Sequence, residues 1–307
     1  MWKITELIDV SCVRLKRIPY ENSNLMKEWE AIFLEKRKTK FPFQLDIELT
    51  NRCNLKCPMC AFHAQDAIFG YEDATMDLEL FKKAVNEGIG KGLKCLKLNY
   101  SGEALLYDYI IEAIEFAKSK GLYVHFNTNG VLLLPEMAKA LIKAGLDEIA
   151  ISDYNLPQQR ENALMLQALK QLMKSETPHL IAGRIIYPNE NTKAILGHKW
   201  AFADGTHMQK LYEFHRKHSC KVSSRYECAF LWQRLLILAD GSIEVCCGMP
   251  HEDKHLGNAK DTTIEKVWTG RQMSWLRTMH KDHLTHLINA CVECPMREST
   301  ILEEVMK

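Results

Sequence analysis

An α/β fold built on parallel strands is what the sequence predicts, with a differently organised C-terminal third. Three observations predict it. Short apolar runs alternate with helical stretches from about residue 43 to residue 187. A tight cysteine cluster follows directly on the first of those runs. From about Ser219 the alternation stops, and cysteines gather again near the end. Alternation of this length implies βα units, and in parallel sheets the loops at the C-terminal edge carry the chemistry.

The elements follow in order. Residues 1–43 are polar and mixed, with one helical segment near Asn24–Lys36, ended before Pro42. Phe43–Thr50 alternates apolar and polar residues and reads as the first strand. A helix over Met76–Lys91 shows its apolar face at Leu78, Leu80, Phe81 and Val85. Lys94–Tyr100, Tyr123–Asn127, Glu148–Ser152 and Leu180–Tyr187 read as four further strands. Helices at Tyr107–Lys120, Pro135–Ala144 and Ala163–Lys174 separate them. Leu231–Cys247 then reads as a hairpin, with Asp240-Gly241 at its turn. The expected division is an N-terminal extension over 1–43, a unit of βα repeats over 44–218 and a small cysteine-bearing unit over 219–307.

Composition narrows the function. The chain of 307 residues is 47% hydrophobic with formal net charge +1, long enough for a large α/β unit and an appendage. A balanced charge offers no electrostatic reason to bind nucleic acid or a membrane surface. The basic run Lys36–Lys40 is short and reads as a solvated face. No stretch is apolar and long enough to span a bilayer, and Lys3, Glu6 and Asp9 interrupt any signal-type apolar run, so a cytoplasmic protein is expected. In that reducing compartment the eleven cysteines point to metal ligation rather than disulfides.

Cys53, Cys57 and Cys60 form a C-x3-C-x2-C loop straight after a strand. Three thiolates can hold three irons of a [4Fe–4S] cube and leave the fourth iron open to an outside ligand. A zinc site completed by His63 is the alternative. The whole segment ELTNRCNLKCPMC resembles the signature of the radical S-adenosylmethionine (AdoMet) superfamily. The resemblance implies a partial (β/α)6 barrel. It also implies that AdoMet chelates the open iron and is cleaved by one electron to a 5′-deoxyadenosyl radical, which abstracts hydrogen from substrate. A flavodoxin- or ferredoxin-like protein would supply the electron. Family members often place an aromatic residue just before the third cysteine, where this chain has Met59.

Other segments match the family pattern in order. Tyr100-Ser101-Gly102-Glu103-Ala104 resembles the Gly-Gly-Glu-Pro segment that holds the AdoMet ammonium, with Ser101 and Ala104 as departures. There Gly102 would let the backbone approach the ligand. Asn127-Thr128-Asn129-Gly130 resembles the segment near the ribose and methionine carboxylate. Ser152 ends the fourth strand at a position that often faces AdoMet, and Arg184 is a candidate for its carboxylate. The alternative for Arg184 is a structural ion pair.

In the C-terminal third, Cys228, Gly241, Cys246, Cys291 and Cys294 give a C-x12-G-x4-C … C-x2-C pattern. Together with His255-Leu256-Gly257-Asn258 and Thr263–Gly270 it resembles the SPASM/twitch extension of one branch of the superfamily. Four cysteines imply one auxiliary [4Fe–4S] cluster, and zinc on the same four thiolates is the alternative. His280, His283 and His286 read as a solvated helix face. Of the remaining cysteines, Cys95 reads as a core thiol, Cys12 carries no signal and Cys220 competes with Cys228 as a ligand. Cys247 adjoins a ligand and is the candidate catalytic hydrogen donor, as in family epimerases, against the alternative of a spare buried thiol.

The resemblance implies oxidation, epimerisation or peptide modification. Residues 1–43 are too short for a winged-helix peptide-recognition domain, so a small-molecule substrate, carbohydrate-like for instance, is expected over a peptide. The non-enzymatic alternative is a zinc or iron–sulfur binding protein.

Overall fold

The structure is a computed structural model that describes residues 23–57, 60, 62–63, 72–153, 157–184, 227–246, 255–288 and 291. Helix α1 (Ser23–Leu34) leads into strand β1 (Gln44–Ile47). Then come α2 (Leu78–Gly88), β2 (Cys95–Lys97), α3 (Ile110–Ser119), β3 (Tyr123–Thr128), α4 (Pro135–Lys143), β4 (Glu148–Asp153), α5 (Pro157–Leu172) and β5 (His179–Arg184). Every expected strand and helix of this stretch is present. The helix expected from Ala163 starts six residues earlier, at Pro157, whose fixed φ suits a first turn. The far end of the expected fifth strand, past Arg184, lies outside the described residues.

The strands form one sheet in the order β5-β4-β3-β2-β1-β6-β7-β8. Neighbours from β5 to β1 are all parallel, with registers such as Leu45↔Leu96 and Phe126↔Ile149. The sixth parallel strand, β6 (Arg234–Ile237), pairs with the free edge of β1 in the register Gln44↔Arg234. The sheet thus runs on across the expected division at residue 218. β6 turns through Gly241, at φ +92, into antiparallel β7 (Ser242–Glu244), as the Asp-Gly signal predicts. β8 (Gly257–Asn258) adds the last edge.

Alternating apolar and polar residues ordinarily give a strand one buried and one exposed face, but both faces of β1 are covered. Leu45, Ile47 and Leu49 are fully buried among the helices. The polar residues Gln44, Asp46 and Glu48 are buried as well. Their charges are met inside: Arg234 Nη1 pairs with Asp46 Oδ2 at 2.9 Å, and the Arg234 guanidinium lies 3.4 Å over the Phe230 ring. In a partial barrel alternate side chains point to the concave inner face, so the polar half of the pattern marks that interior rather than solvent.

The helices cover the outer face. Asp77 caps α2 by accepting from Leu80 N–H at 2.9 Å, and Phe81 and Val85 are fully buried beneath it, worth roughly 1.5–3 kcal/mol each. α2 also carries the C-terminal segment. The Glu87 carboxylate accepts from the Ile264 and Glu265 N–H groups at 3.1 and 2.9 Å, at the start of α7 (Ile264–Trp268). An acidic group there opposes the positive end of the helix. Trp268 is buried and donates to Thr39 Oγ1 at 3.1 Å. Between the hairpin and the core, α6 (Phe230–Gln233) precedes β6, and α8 (Arg271–Lys281) follows α7. Arg277 on α8 lies over the Trp268 ring and donates to Leu231 O and Trp268 O; burial pushes its guanidinium down to about 10. Among the described residues, no helix is long and apolar enough to cross a membrane.

Candidate active site and iron–sulfur ligands

The cysteine loop leaves the C-terminal end of β1 and is closed at its neck. Thr50 bridges Thr75, Met76 N–H donates to Leu49 O at 2.8 Å, and Asn51 bonds Ala74 N–H through its side-chain oxygen and Glu72 O through its amide. Cys53, Leu55 and Cys57 are half-buried while Arg52, Asn54 and Lys56 between them are exposed. The Cys57–Cys60 turn is closed by Cys60 N–H donating to Cys57 O at 2.9 Å. Met59 lies outside the described residues.

The loops after β2 and β3 grip this loop. Glu103 N–H donates to Arg52 O at 2.9 Å. A Cβ on Gly102 would stand 2.2 Å from Thr50 O, 2.7 Å from Arg52 O and 2.8 Å from the Asn51 carbonyl carbon. The sequence reading assigned Gly102 to close approach of a ligand; the close neighbour in the structure is the backbone of the cysteine loop. The Glu103 carboxylate is buried and ties β2 to β3: it accepts from Thr128 Oγ1 at 2.6 Å, Asn129 N–H at 2.7 Å and Leu105 N–H at 3.1 Å. Burial pushes this carboxyl up, and those three donors hold it down in part. Asn129 completes the grip by donating from Nδ2 to Asn54 Oδ1 at 2.7 Å.

Several residues the sequence reading missed belong to the same network. Glu48 accepts from Ser101, through both its N–H and its hydroxyl, and from Ala239 N–H in the hairpin. Its carboxyl is pushed up by burial, against those donors and with the Asp240 charge. Asn99 Oδ1 accepts from Asn127 N–H at 2.9 Å. Asn162 on α5 donates to Gly130 O at 2.8 Å, and Gln159 donates to Asn129 O. Placement near the C-terminal end of a predicted strand was the available signal for Glu48 and Asn99. Ser152 and Arg184 stand at the C-terminal ends of β4 and β5, in the register Ser152↔Gly183 and Asp153↔Arg184.

The thiols suit an iron–sulfur cluster by donor type. Burial pushes the Cys53 thiol up; Leu55 N–H and the Asn129 side chain oppose the rise, and the Glu103 and Cys60 charges add to it. A bound cation reverses that balance by stabilising thiolate. The buried Nε2 of His63 has no hydrogen-bond partner among the described residues. Among those residues no three Cys, His, Asp or Glu groups stand close enough together to hold a metal ion.

None of the seven described cysteines is in a disulfide. Cys228 precedes α6, Cys246 follows β7, and Cys291 is buried. Cys294 and Cys247 lie outside the described residues, as do Cys12 and Cys220. Cys95 is fully buried on β2, and burial first, then the Glu148 charge, pushes its thiol well up, as expected of a core thiol. One expectation fails. His280 is fully buried, while His283 and His286 are exposed. The three do not share a face because α8 ends at Lys281; His280 instead continues the buried stripe of Met273, Leu276 and Arg277.

Comparison with known proteins places these features. The Radical SAM superfamily model matches residues 47–152, and the model of an iron–sulfur cluster-binding domain, SPASM, matches residues 228–295. The tungsten-containing aldehyde ferredoxin oxidoreductase cofactor-modifying protein of Pyrococcus furiosus is 33% identical over 115 residues, 37% of this chain and 31% of that protein. The PqqA peptide cyclase of Granulibacter bethesdensis is 34% identical over 113 residues, 36% of this chain and 29% of that protein. The chain thus spans about a third of the length of these curated relatives. The crystal structure of BtrN in complex with AdoMet and 2-DOIA matches 83% of this chain and 94% of that one, with TM-score 0.61 and 14% identity, a likeness of fold. Two family models, each falling on one of the two cysteine groups, settle the assignment: the chain belongs to the radical SAM superfamily, in the branch that adds a C-terminal iron–sulfur cluster-binding domain.

Proposed function

We propose that this chain takes a hydrogen atom from a small-molecule substrate, a carbohydrate-like one in the first instance, and that oxidation or epimerisation follows. As a member of this branch it works with AdoMet, a catalytic [4Fe–4S] cluster and an auxiliary one. The observation that carries the reading is the three-loop grip at the sheet's C-terminal edge, where Gly102, Glu103 and Asn129 converge on the cysteine loop. When bound, the catalytic cluster supplies the electron that cleaves AdoMet to the hydrogen-abstracting radical. Cys53, Cys57 and Cys60 hold that cluster in this reading. Glu103 Oε2 accepts one bond, from Asn129 N–H, and keeps a lone pair for the AdoMet ammonium. Ser101, Asn127, Thr128, Ser152, Arg184 and Met59 complete the AdoMet contacts. Cys228, Cys246, Cys291 and Cys294 hold the auxiliary cluster.

The choice of a small molecule is supported by the extent of the BtrN likeness, since that protein was crystallised with 2-DOIA and the match takes in 94% of it. The PqqA peptide cyclase relative favours a second reading, modification of a peptide, on its 34% identity over 113 residues. The test begins with iron. The anaerobically reconstituted protein should hold about eight irons, and changing Cys53, Cys57 and Cys60 together to Ala should leave about four. That variant should make no 5′-deoxyadenosine with dithionite; continued production would refute the catalytic assignment. Mass spectrometry of candidate small molecules and peptides incubated with the enzyme in heavy water then separates the outcomes. Epimerisation through Cys247 places deuterium on the product carbon, and Cys247→Ala stops product while 5′-deoxyadenosine continues. Oxidation removes two hydrogens and introduces no deuterium. Full turnover by Cys247→Ala would remove the donor role.

A further inference from the structure

One buried imidazole joins the two ends of the C-terminal ligand set. His280 sits in the last turn of α8 with no exposure to solvent. Its Nδ1 lies 3.1 Å from the backbone nitrogen of Cys228, and its Nε2 lies 3.4 Å from Cys291 Sγ. These contacts determine where the ring proton is. A backbone N–H can only donate, so Nδ1 must offer its lone pair to Cys228. The proton of the neutral ring is therefore on Nε2, aimed at the Cys291 sulfur. The same logic excludes His280 as a metal ligand. Ligation through Nε2 would move the proton to Nδ1 and set it against the Cys228 N–H, donor against donor.

We propose that His280 is a positioning residue of the auxiliary cluster: it seats Cys228 and Cys291 together and donates Nε2–H to the Cys291 sulfur, raising the cluster's reduction potential. The inference rests on the reading that Cys228, Cys246, Cys291 and Cys294 hold that cluster. Reduction adds negative charge that spreads onto the ligand sulfurs. A donor to sulfur therefore stabilises the reduced state more than the oxidised one, and hydrogen bonds of this kind are among the levers that set cluster potentials. The burial of the ring strengthens the effect, because no water competes for the sulfur. Tuning of this sort matters whether the cluster accepts an electron from substrate or only passes one on.

The test isolates the auxiliary cluster in the full chain carrying Cys53→Ala, Cys57→Ala and Cys60→Ala, reconstituted anaerobically. In that background His280→Phe keeps a ring of similar size and removes both bonds. It should retain about four irons. Its midpoint potential, followed by EPR during redox titration, should fall by about tenfold in the reduction equilibrium, ~59 mV for a one-electron couple. His280→Gln, which can still donate at the Nε2 position, should recover part of that shift. Four irons with an unshifted potential would overturn the proposal and leave the ligand reading standing. Cys291→Ala that keeps all four irons would overturn the ligand reading itself. Should His280→Phe fail to assemble a cluster, pulsed EPR of the reduced cluster in the His280-containing background with 15N-labelled histidine decides. A weak nitrogen coupling that is lost in His280→Gln supports the donor bond. No coupling, or a strong one from direct ligation, overturns it.

Discussion

Replacing Gly102 by Ala should disable the catalytic loop without a change to any proposed ligand. The new Cβ would lie 2.2 Å from Thr50 O, with Arg52 O and the Asn51 carbonyl carbon also inside 3.0 Å. All three are backbone atoms, so no side chain can rotate away. Relief from 2.2 Å to the 3.4 Å of ordinary contact requires a shift of about 1.2 Å between the Gly102 turn and the cysteine loop. Overpacking of this kind costs about 1–3 kcal/mol, and loosening the bond from Glu103 N–H to Arg52 O adds about 1 kcal/mol. Ala recovers roughly 0.4–1 kcal/mol by restricting the unfolded chain. The net loss is about 1–4 kcal/mol in stability. The displacement of the ligand loop matters more, because misplacement on the order of 1 Å costs about 100-fold in rate. The assay is 5′-deoxyadenosine formation with dithionite, with iron content and urea unfolding measured alongside. Gly121→Ala is the control: its Cβ meets nothing within 4 Å, and only the positive φ of +74 opposes it. That variant should lose about 1–2 kcal/mol in stability and no activity. Wild-type iron content and AdoMet cleavage in Gly102→Ala would refute the argument that this glycine exists for the loop's close approach.

Two further outcomes follow from the barrel interior. Arg234→Met removes the cation that pairs with buried Asp46 and should destabilise the protein by about 3–5 kcal/mol in urea unfolding, while Arg234→Met with Asp46→Asn should recover part of the loss. Glu48 supplies a pH signature. Its folded-state pKa is raised, so the stability it contributes is fully present below its unfolded value of about 4.3 and is lost as pH rises through the folded value. The stability of the wild type relative to Glu48→Gln should therefore decline between mildly acidic and neutral pH; a flat or rising difference would contradict it.

The parallel α/β framework was legible because each strand and helix carries its own apolar period, and the two cysteine groups were legible because the spacings within C-x3-C-x2-C, G-x4-C and C-x2-C are local. What the sequence concealed was where polar groups point. Gln44, Asp46 and Glu48 have the alternation of a half-exposed strand, and only tertiary pairing with Arg234, Ser101 and Ala239 reveals an interior. His280 looked like its neighbours His283 and His286 because a three-residue spacing suggests one helix face; the end of α8 at Lys281 breaks that relation. Gly102 was legible as a glycine for close approach to a ligand; the structure adds a close approach to the backbone of the cysteine loop. Its neighbour is some fifty residues away in sequence, at Thr50–Arg52, and no local pattern announces it.

The pairing of β6 with β1 has a consequence for how the chain is made. Gln44 and Arg234 are register partners separated by 190 residues of sequence (234 − 44). As the chain emerges from the ribosome, β1 has one hydrogen-bonding edge bare until residues beyond 237 have appeared. A bare, apolar strand edge is a template for the wrong partner, and contacts this distant in sequence form late and slowly. Asp46 waits for its cation over the same interval. The cysteine loop hangs from the C-terminal end of that unfinished strand. Synthesis order therefore favours metal loading after the hairpin has docked, and a chain cut short before Arg234 would expose both its thiols and its strand edge at once.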